Sequence, residues 1–345
     1  MNDFNILLTS VGRRSYLVEY FRQALHGRGK VICTNMYAHA AGMYAADKAV
    51  VTPPSCDKSY VPQVIDMCRQ YNIKLIFSFH DLDVYILSQH INQLRETGAV
   101  PVLPDPNWGR ITLDKYECTC VLKDNGFDVP WTSINLDEAV NAIADSELLF
   151  PVIVKSRMGF GSQGLWTCKS LDELKWAYDS AMQKIQDFGT SNYLPIPEKQ
   201  GVLIQQGIVG REYCLDVVNN LSGNYVCSFM ADIHAMRAGE SDMATTVDPA
   251  IAGDLASRFS KLTNHIGIWG VDCMDDHGIL RVIDVNPRFT GDYPFHQIAG
   301  ANIPAAIVAW AKGGEPDPAW LRSEIGIRGY KDLVPNKSTI LMNNF

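Results

Sequence analysis

The sequence predicts an α/β domain on a parallel sheet, then a small α+β lobe, then a larger lobe built on an antiparallel sheet. Three observations carry this. Short apolar runs alternate with amphipathic stretches through the first third, the rhythm breaks at Pro104-Asp105-Pro106, and after Pro195-Ile196-Pro197 the pattern becomes rich in strands. Strands separated by helices of this length mark βαβ units.

The first run, Ile6-Leu7-Leu8, leads through Thr9-Ser10-Val11-Gly12-Arg13-Arg14 into a helical pattern from Ser15 to Leu25. Strands Val31-Ile32-Cys33, Ala49-Val50-Val51, Leu75-Ile76-Phe77 and Val100-Pro101-Val102 follow, with helical patterns over Val61 to Tyr71 and Leu82 to Leu94 between them. Ligands of a parallel sheet sit beyond the carboxyl ends of its strands. That puts Gly12, Arg13 and Arg14, and the segment His80-Asp81-Leu82-Asp83, at the edge of a site. Past the break, one helix is expected from Ile111 to Asp124, closed by Asn125-Gly126. A helix from Leu136 to Ile143, strands Val152 to Lys155 and Leu165 to Thr167, and a helix from Leu171 to Ile185 complete the middle. The last part reads as strands Val202 to Ile204, Tyr213 to Val218, Tyr225 to Met230, Trp269 to Met274 and Leu280 to Val285, interrupted by one long helix from Pro249 to His265.

Composition narrows the function. Of 345 residues, 47% are hydrophobic and 20% charged, enough for buried cores and without a disorder signature. A net charge of −8 argues against a nonspecific nucleic-acid binder, which needs a basic surface. No apolar run approaches the about 18 residues of a membrane span. Met1-Asn2-Asp3-Phe4 lacks the basic-then-apolar pattern of a secretory signal. The nine cysteines are scattered, with only Cys118-x-Cys120 close together, so zinc and disulfide frameworks find no spacing to suit them. Reduced thiols in the cytoplasm are expected.

Gly159-Phe160-Gly161-Ser162-Gln163-Gly164 matches G-x-G-x-x-G. A dinucleotide fingerprint needs a helix after the loop, but Leu165-Trp166-Thr167 reads as a strand. A Walker loop needs Gly-Lys-Ser/Thr, which is missing, and the kinase signatures are absent too. Two readings stay open: a surface turn, or a glycine hairpin folding over phosphates with Lys155 beside it.

The most informative segment runs from Trp269 to Arg288. Two apolar runs flank Asp276-His277-Gly278, and a three-residue loop there pairs Asp275 with Ile279 and sets Asp272 opposite Val282. Asp284 then lies diagonal to Asp272 on one face, and Asn286 shares that face because strand side chains repeat every second residue. Two carboxylates and an amide are hard oxygen donors that suit Mg²⁺. The plain alternative is three exposed strand residues, against which stand their poor strand propensity and the repulsion of like charges.

These motifs, in this order, resemble the ATP-grasp superfamily, in particular the carbamoyl-phosphate-synthase-like branch of carboxylate–amine ligases. The resemblance implies a Rossmann-like, pre-ATP-grasp α/β domain over residues 1–110, a small lobe with the glycine flap over 111–204, and a large lobe with the metal hairpin over 205–345. It implies ATP contacts from Lys115, Lys155, the backbone at Gly159, Gly161, Ser162 and Gly164, the lobe-linking strand at Gln205, Gln206 and Ile208, and Glu212 on the ribose. Gln205 stands where the family often has glutamate. Asp272, Asp284 and Asn286 match the metal ligands for one or two Mg²⁺, with Mn²⁺ as a substitute; Asp284 replaces the commoner glutamate. Arg288 of Asn286-Pro287-Arg288 and Arg237 of Met236-Arg237-Ala238-Gly239-Glu240 match arginines of the acyl-phosphate site. Arg13, Arg14, Asp81, Asp83 and His234 are further candidates for substrate contact, each with a plain reading as a solvated or packed side chain.

The expected activity is ATP-dependent amide or peptide-like C–N bond formation from a small-molecule carboxylate and an amine, through an acyl phosphate. No nucleic acid or membrane is involved, and a homodimer is in keeping with the branch. Activation of bicarbonate or another small carboxylate is the alternative within the same site, and a nucleotide-binding module without chemistry is the alternative from another class.

Overall fold

A computed structural model of the chain describes residues 4–158, 165–187, 201–333 and 335. Strands β1 (Asn5–Thr9), β2 (Val31–Asn35), β3 (Lys48–Val51), β4 (Ile73–Ser78) and β5 (Val100–Pro101) form a parallel sheet in the order β3-β2-β1-β4-β5. Helices α1 (Ser15–Leu25), α2 (Ala41–Ala45), α3 (Tyr60–Gln70), α4 (Asp81–Gln89) and α5 (Ile91–Arg95) connect them. β2 is buried along its whole length because both faces of the sheet are covered, which is why Val31-Ile32-Cys33 read as an apolar run without alternation. α1 buries Leu17, Val18, Phe21, Ala24 and Leu25, the single stripe of an amphipathic helix. Strand order reverses between β1 and β4. The loops that leave those two strands, Ser10 to Arg14 and Phe79 to His80, therefore open beside each other at the carboxyl edge.

The helix expected from Ile111 to Asp124 is two helices, α6 (Pro106–Leu113) and α7 (Lys115–Asp124). Asp114 breaks it. Its backbone is extended (φ −96°, ψ 97°), its carboxylate caps α7 by accepting from the Glu117 N–H, and the same carboxylate takes two hydrogen bonds from Arg157 at 2.9 and 2.7 Å. Lys115 thereby becomes the first residue of α7.

Next, β6 (Thr132–Ser133), β7 (Val152–Ser156), β8 (Trp166–Cys168) and β9 (Val202–Gln206) make an antiparallel sheet in the order β6-β9-β7-β8. Helices α8 (Leu136–Ala144) and α9 (Leu171–Asp187) contribute Ala139, Leu174 and Ala177 to a core with Val152, Val154 and Ile204. The third sheet is antiparallel, in the order β14-β13-β10-β11-β12-β15: β10 (Glu212–Asn219), β11 (Tyr225–Arg237), β12 (Glu240–Val247), β13 (Gly267–Asp276), β14 (Ile279–Asn286) and β15 (Arg328–Tyr330). The helix expected from Pro249 to His265 shortens to a 3₁₀ turn and α10 (Leu255–Thr263), because Gly253 at φ +55° ends the first piece. After β14 come α11 (Tyr293–Ile298) and α12 (Ile303–Ala311). Phe21, Phe77 and Phe79 of the first domain share one core with Phe289, Tyr293 and Ile303, so the parallel sheet is fastened to the third sheet by apolar burial.

The β13–β14 hairpin corrects the expected register. Its turn has two residues, His277 (φ +55°) and Gly278 (φ +91°), which pairs Asp276 with Ile279. A bulge at Ile283 then sets Asp272 directly opposite Asp284 rather than diagonal to it. Val282 and Val285 both reach the core although they are three residues apart, while Ile283 and Asp284 between them both line the cleft. The face that carries the acids survives the two departures because each shifts the register by one.

Candidate active site

A cleft of about 1610 Å³ opens where the three sheets meet. Lys115, Lys155, Glu212, Asp272, Asp284, Asn286 and Arg288 line it, and so do Arg13, Arg14 and Asp81 from the first domain. At its floor Asp272 and Asp284 face each other across the hairpin, and Asn286 Nδ2 donates to Asp272 Oδ2 at 2.9 Å. Burial, followed by the charges of Asp292, Asp284 and Glu212, pushes the Asp272 carboxyl well above the usual range. Lys115 Nζ donates to Asp284 Oδ2 at 2.5 Å. Burial alone would lower that ammonium, yet Asp284 and then Asp81 hold it above its ordinary value. Two facing acids and an amide, with an ammonium already drawn to one of them, form an oxygen-donor set that suits a hard divalent cation.

Lys155 is in the opposite condition. Its Nζ donates to Gln205 Oε1 at 2.9 Å and reaches the Ile283 carbonyl at 3.5 Å. Burial and the neighbouring Lys115 charge pull it from 10.5 down to about 8, against the pull of Asp284 and Asp272. Among the described residues it pairs with no carboxylate, so this cation is open to an anion.

The lobe-linking strand departs from expectation. Gln205 is 3% exposed, and its amide accepts from Lys155 and, through Nε2, donates to Thr132 Oγ1 at 3.1 Å. It braces the lysine. Gln206 pairs with Trp131 through its backbone and its Oε1, and Ile208 is half-buried in the linker; neither lines the cleft. The linker itself runs against the hairpin: a Cβ on Gly210 would lie 1.9 Å from the Asp275 carbonyl, which is why glycine stands there. Glu212, at the start of β10, does line the cleft, and burial together with Asp292 raises its carboxyl.

Arg288 is held by a residue of the first domain. Its Nε and Nη2 donate to the two oxygens of Asp81 at 2.6 and 2.8 Å, and Nη2 also reaches Asn286 Oδ1 at 3.0 Å. Burial opposes the Asp81 charge, but Arg288 outweighs it and holds the carboxyl far below the usual range. Asp81 is therefore the partner that aims Arg288 rather than an open substrate ligand.

Three other candidates move out of the cleft. Asp83 is fully buried and accepts from Thr9 Oγ1 at 2.5 Å and Ser78 Oγ at 2.7 Å, tying β1 to β4. His234 bonds Thr245 Oγ1 at 2.7 Å on the exposed side of β11. Arg237, the last residue of β11, crosses to Asp242 of the neighbouring β12 at 2.6 Å and to the Lys331 carbonyl at 3.3 Å, and it does not line the cleft. The nearby residue that does line it is Glu240. It accepts from Arg14 Nε at 3.1 Å, lies 3.7 Å from Arg13 Nε, and is held below the usual range, against burial, chiefly by Arg14. Arg13 also donates to the Ala238 carbonyl at 2.9 Å, and Arg14 to that of Phe79. Gly159, Gly161, Ser162 and Gly164 lie outside the described residues.

Glu240 and Asp292 are absent from the candidates drawn from sequence. Glu240 is the last residue of the arginine motif, where Arg237 was singled out instead. Asp292 follows an irregular loop, and no periodicity points to it.

Two family models match: the PylC-like N-terminal domain over residues 6–103 and the ATP-grasp domain over residues 112–292. The large chain of carbamoyl phosphate synthase from Clostridium beijerinckii is 28% identical over 167 residues, 45% of this chain and 14% of that one. The formate-dependent phosphoribosylglycinamide formyltransferase of Bacillus velezensis is 23% identical over 272 residues, 74% of this chain and 64% of that one. The chain thus spans only a small part of the synthase it matches. Among solved structures, the L-amino acid ligase from Bacillus licheniformis superposes with a TM-score of 0.74 at 17% identity, covering 97% of this chain and 82% of that one. The biotin carboxylase domain of Hydrogenobacter thermophilus 2-oxoglutarate carboxylase, solved with MgADP and bicarbonate, gives 0.70 at 18% identity, covering 94% and 73%. At these identities the likeness is one of fold.

Proposed function

The chain belongs to the ATP-grasp family, and from that premise we propose that it is an ATP-dependent carboxylate–amine ligase. One observation carries the reading: a lysine with no carboxylate partner among the described residues, a lysine poised on an acid, two facing acids and a buttressed arginine converge in one cleft. Lys155 and Lys115 would take the phosphates of ATP and Glu212 the ribose. Asp272, Asp284 and Asn286 would hold Mg²⁺, which neutralises phosphoryl charge when bound. A substrate carboxylate oxygen attacks the γ-phosphorus, the bond to the ADP oxygen breaks, and an acyl phosphate forms. An amine then attacks the acyl carbon, loses a proton, and phosphate leaves. Arg288 faces this centre with its guanidinium plane set by Asp81, so its donors need no reorganisation as charge develops on the phosphoryl and acyl oxygens. Small molecules are the substrates in this reading. Among the described residues no helix is long and apolar enough to cross a membrane, and nine unpaired cysteines favour a reducing, cytoplasmic setting.

The test is ADP release over a panel of amino acids, alone and in pairs, with wild type and Asp284→Ala. Amino-acid-dependent ADP release is expected in the wild type. The variant should lose it by more than a hundredfold, with Mg²⁺-dependent ATP binding, while keeping a native circular dichroism spectrum. Full activity in the variant would remove Asp284 from the site.

A further inference from the structure

The two lysines that serve phosphate in the proposed function stand on different cores. Lys115 opens α7, whose Cys118 and Leu122 are buried together with Val282 and Val285 of the β13–β14 hairpin. Lys155 lies on β7, whose Val152 and Val154 are buried together with Ala139, Leu174 and Ile204. The separation of the two ammonium groups therefore depends on how one core is set against the other.

Asp114 and Arg157 join the two. Asp114 immediately precedes Lys115, and Arg157 follows Lys155 by two residues. The Asp114 carboxylate is fully buried and takes Arg157 as a fork, Nε on Oδ1 at 2.9 Å and Nη2 on Oδ2 at 2.7 Å. The main chain repeats the connection. The Lys115 N–H donates to the Arg157 carbonyl at 3.1 Å, and Asp114 and Met158 form an antiparallel bridge. Each end is held in turn. Asp114 caps α7 by accepting from the Glu117 N–H at 3.2 Å, and the Arg157 guanidinium lies 5.5 Å from the centre of the Tyr116 ring. The Arg157 N–H carries the β7–β9 ladder one step further, to the Gly201 carbonyl at 2.9 Å.

A buried ion pair adds little stability over apolar side chains of the same size. What a fork adds is direction, because two parallel N–H···O bonds stop either group from turning or sliding. Here that direction passes to two lysines. Their tips end at neighbouring residues of β14, Lys115 Nζ on Asp284 Oδ2 at 2.5 Å and Lys155 Nζ at 3.5 Å from the Ile283 carbonyl. Asp114 and Arg157 do not line the cleft, so they meet a bound nucleotide only through the residues they hold.

We infer that Asp114 and Arg157 are positioning residues: the clamp between them sets Lys115 at the distance from Lys155 that one polyphosphate chain requires. This rests on the reading of both lysines as ligands of the ATP phosphates. Loss of the clamp leaves both cations in the cleft and spoils their spacing, so its effect on nucleotide runs through Lys115.

The experiment titrates the full chain, with Mg²⁺, against a non-hydrolysable ATP analogue by calorimetry, in wild type, Arg157→Lys, Lys115→Met and the two changes combined. Arg157→Lys keeps the charge and gives up the fork, and should weaken the nucleotide about 5- to 20-fold. Lys115→Met should weaken it about tenfold, and adding Arg157→Lys should then cost less than about a further twofold, because the clamp has no lysine left to place. A pair that only stabilises the fold would leave the affinity of the folded protein unchanged. Should Arg157→Lys lose its native circular dichroism spectrum, Asp114→Asn combined with Arg157→Gln takes its place, since it leaves no buried charge unpaired and asparagine still caps α7. The inference is overturned by a loss of less than about twofold in the clamp variant, by losses that multiply in the combined variant, or by a Lys115→Met protein that binds no nucleotide, since one lysine would then carry what two are said to share. Failure of the phosphate reading looks different: Lys115→Met binds as tightly as wild type. If only the ligase reading fails, the affinities respond as stated, the clamp stands, and no amino acid or amine prompts ADP release.

Discussion

Lys155 should lower the stability of the very fold that needs it, and the size of the effect can be worked out. In the folded chain its ammonium is pulled from 10.5 to about 8 by burial and by Lys115. Between those two values the unfolded chain holds a proton that the folded chain has released, so stability rises with pH across that window. Below pH 8 both states are protonated, and the full cost applies: about 2.5 pK units at 1.36 kcal/mol each, or roughly 3 kcal/mol. Lys155→Met removes the charge and keeps the stem. It also deprives Gln205 Oε1 of its donor, a loss of about 1 kcal/mol that does not change with pH. The variant should therefore be about 2 kcal/mol more stable than wild type near pH 7, and that advantage should shrink by about 2 kcal/mol near pH 9.5. Urea unfolding followed by tryptophan fluorescence at the two pH values reads the difference, since all other titrating groups are common to both proteins. At the same time the ATP concentration needed for half-maximal rate should rise at least tenfold. A gap between variant and wild type that stays constant with pH would refute the argument, whatever its size.

Other expectations follow from the same geometry. Asp81→Asn removes the charge that aims Arg288, and ADP release should fall about 10- to 100-fold in kcat with the ATP requirement little changed; a pure rise in the ATP requirement would contradict a positioning role. Asp83→Ala strips two buried hydroxyls of their acceptor, and urea unfolding should show a loss of about 2–4 kcal/mol, with steady-state rates per folded molecule unchanged. Arg237→Ala, on a side chain turned toward Asp242, should alter the rate less than threefold; a hundredfold loss would restore Arg237 to the acyl-phosphate site.

Much of the architecture was legible because it is written in short-range pattern. The β1 and β2 runs are apolar on both faces, α1 carries one stripe, and Asp284 and Asn286, two residues apart on one strand, arrive on one side of it. That grouped Asp272, Asp284 and Asn286; Lys115 and Lys155 joined them only through the resemblance to the family, and all five line one cleft in the structure. The turn length was misjudged, and the bulge at Ile283 repaired the error, since neither changes which residues are polar.

Proximity between residues far apart in the chain was another matter. Asp81 and Arg288 are 207 residues apart, and no local rule pairs them. Gln205 turned out to brace Lys155, Arg237 yielded its place to Glu240, and Asp292 came to rest beside Asp272 from an irregular loop. Side-chain alternation and helical periodicity are properties of a few neighbouring residues, so the amino-acid order alone determined the elements and the chemistry they carry. Which carboxylate meets which cation depends on how the first domain and the third sheet bury Phe79, Phe289 and Tyr293 in one core, and only the packed chain decides that.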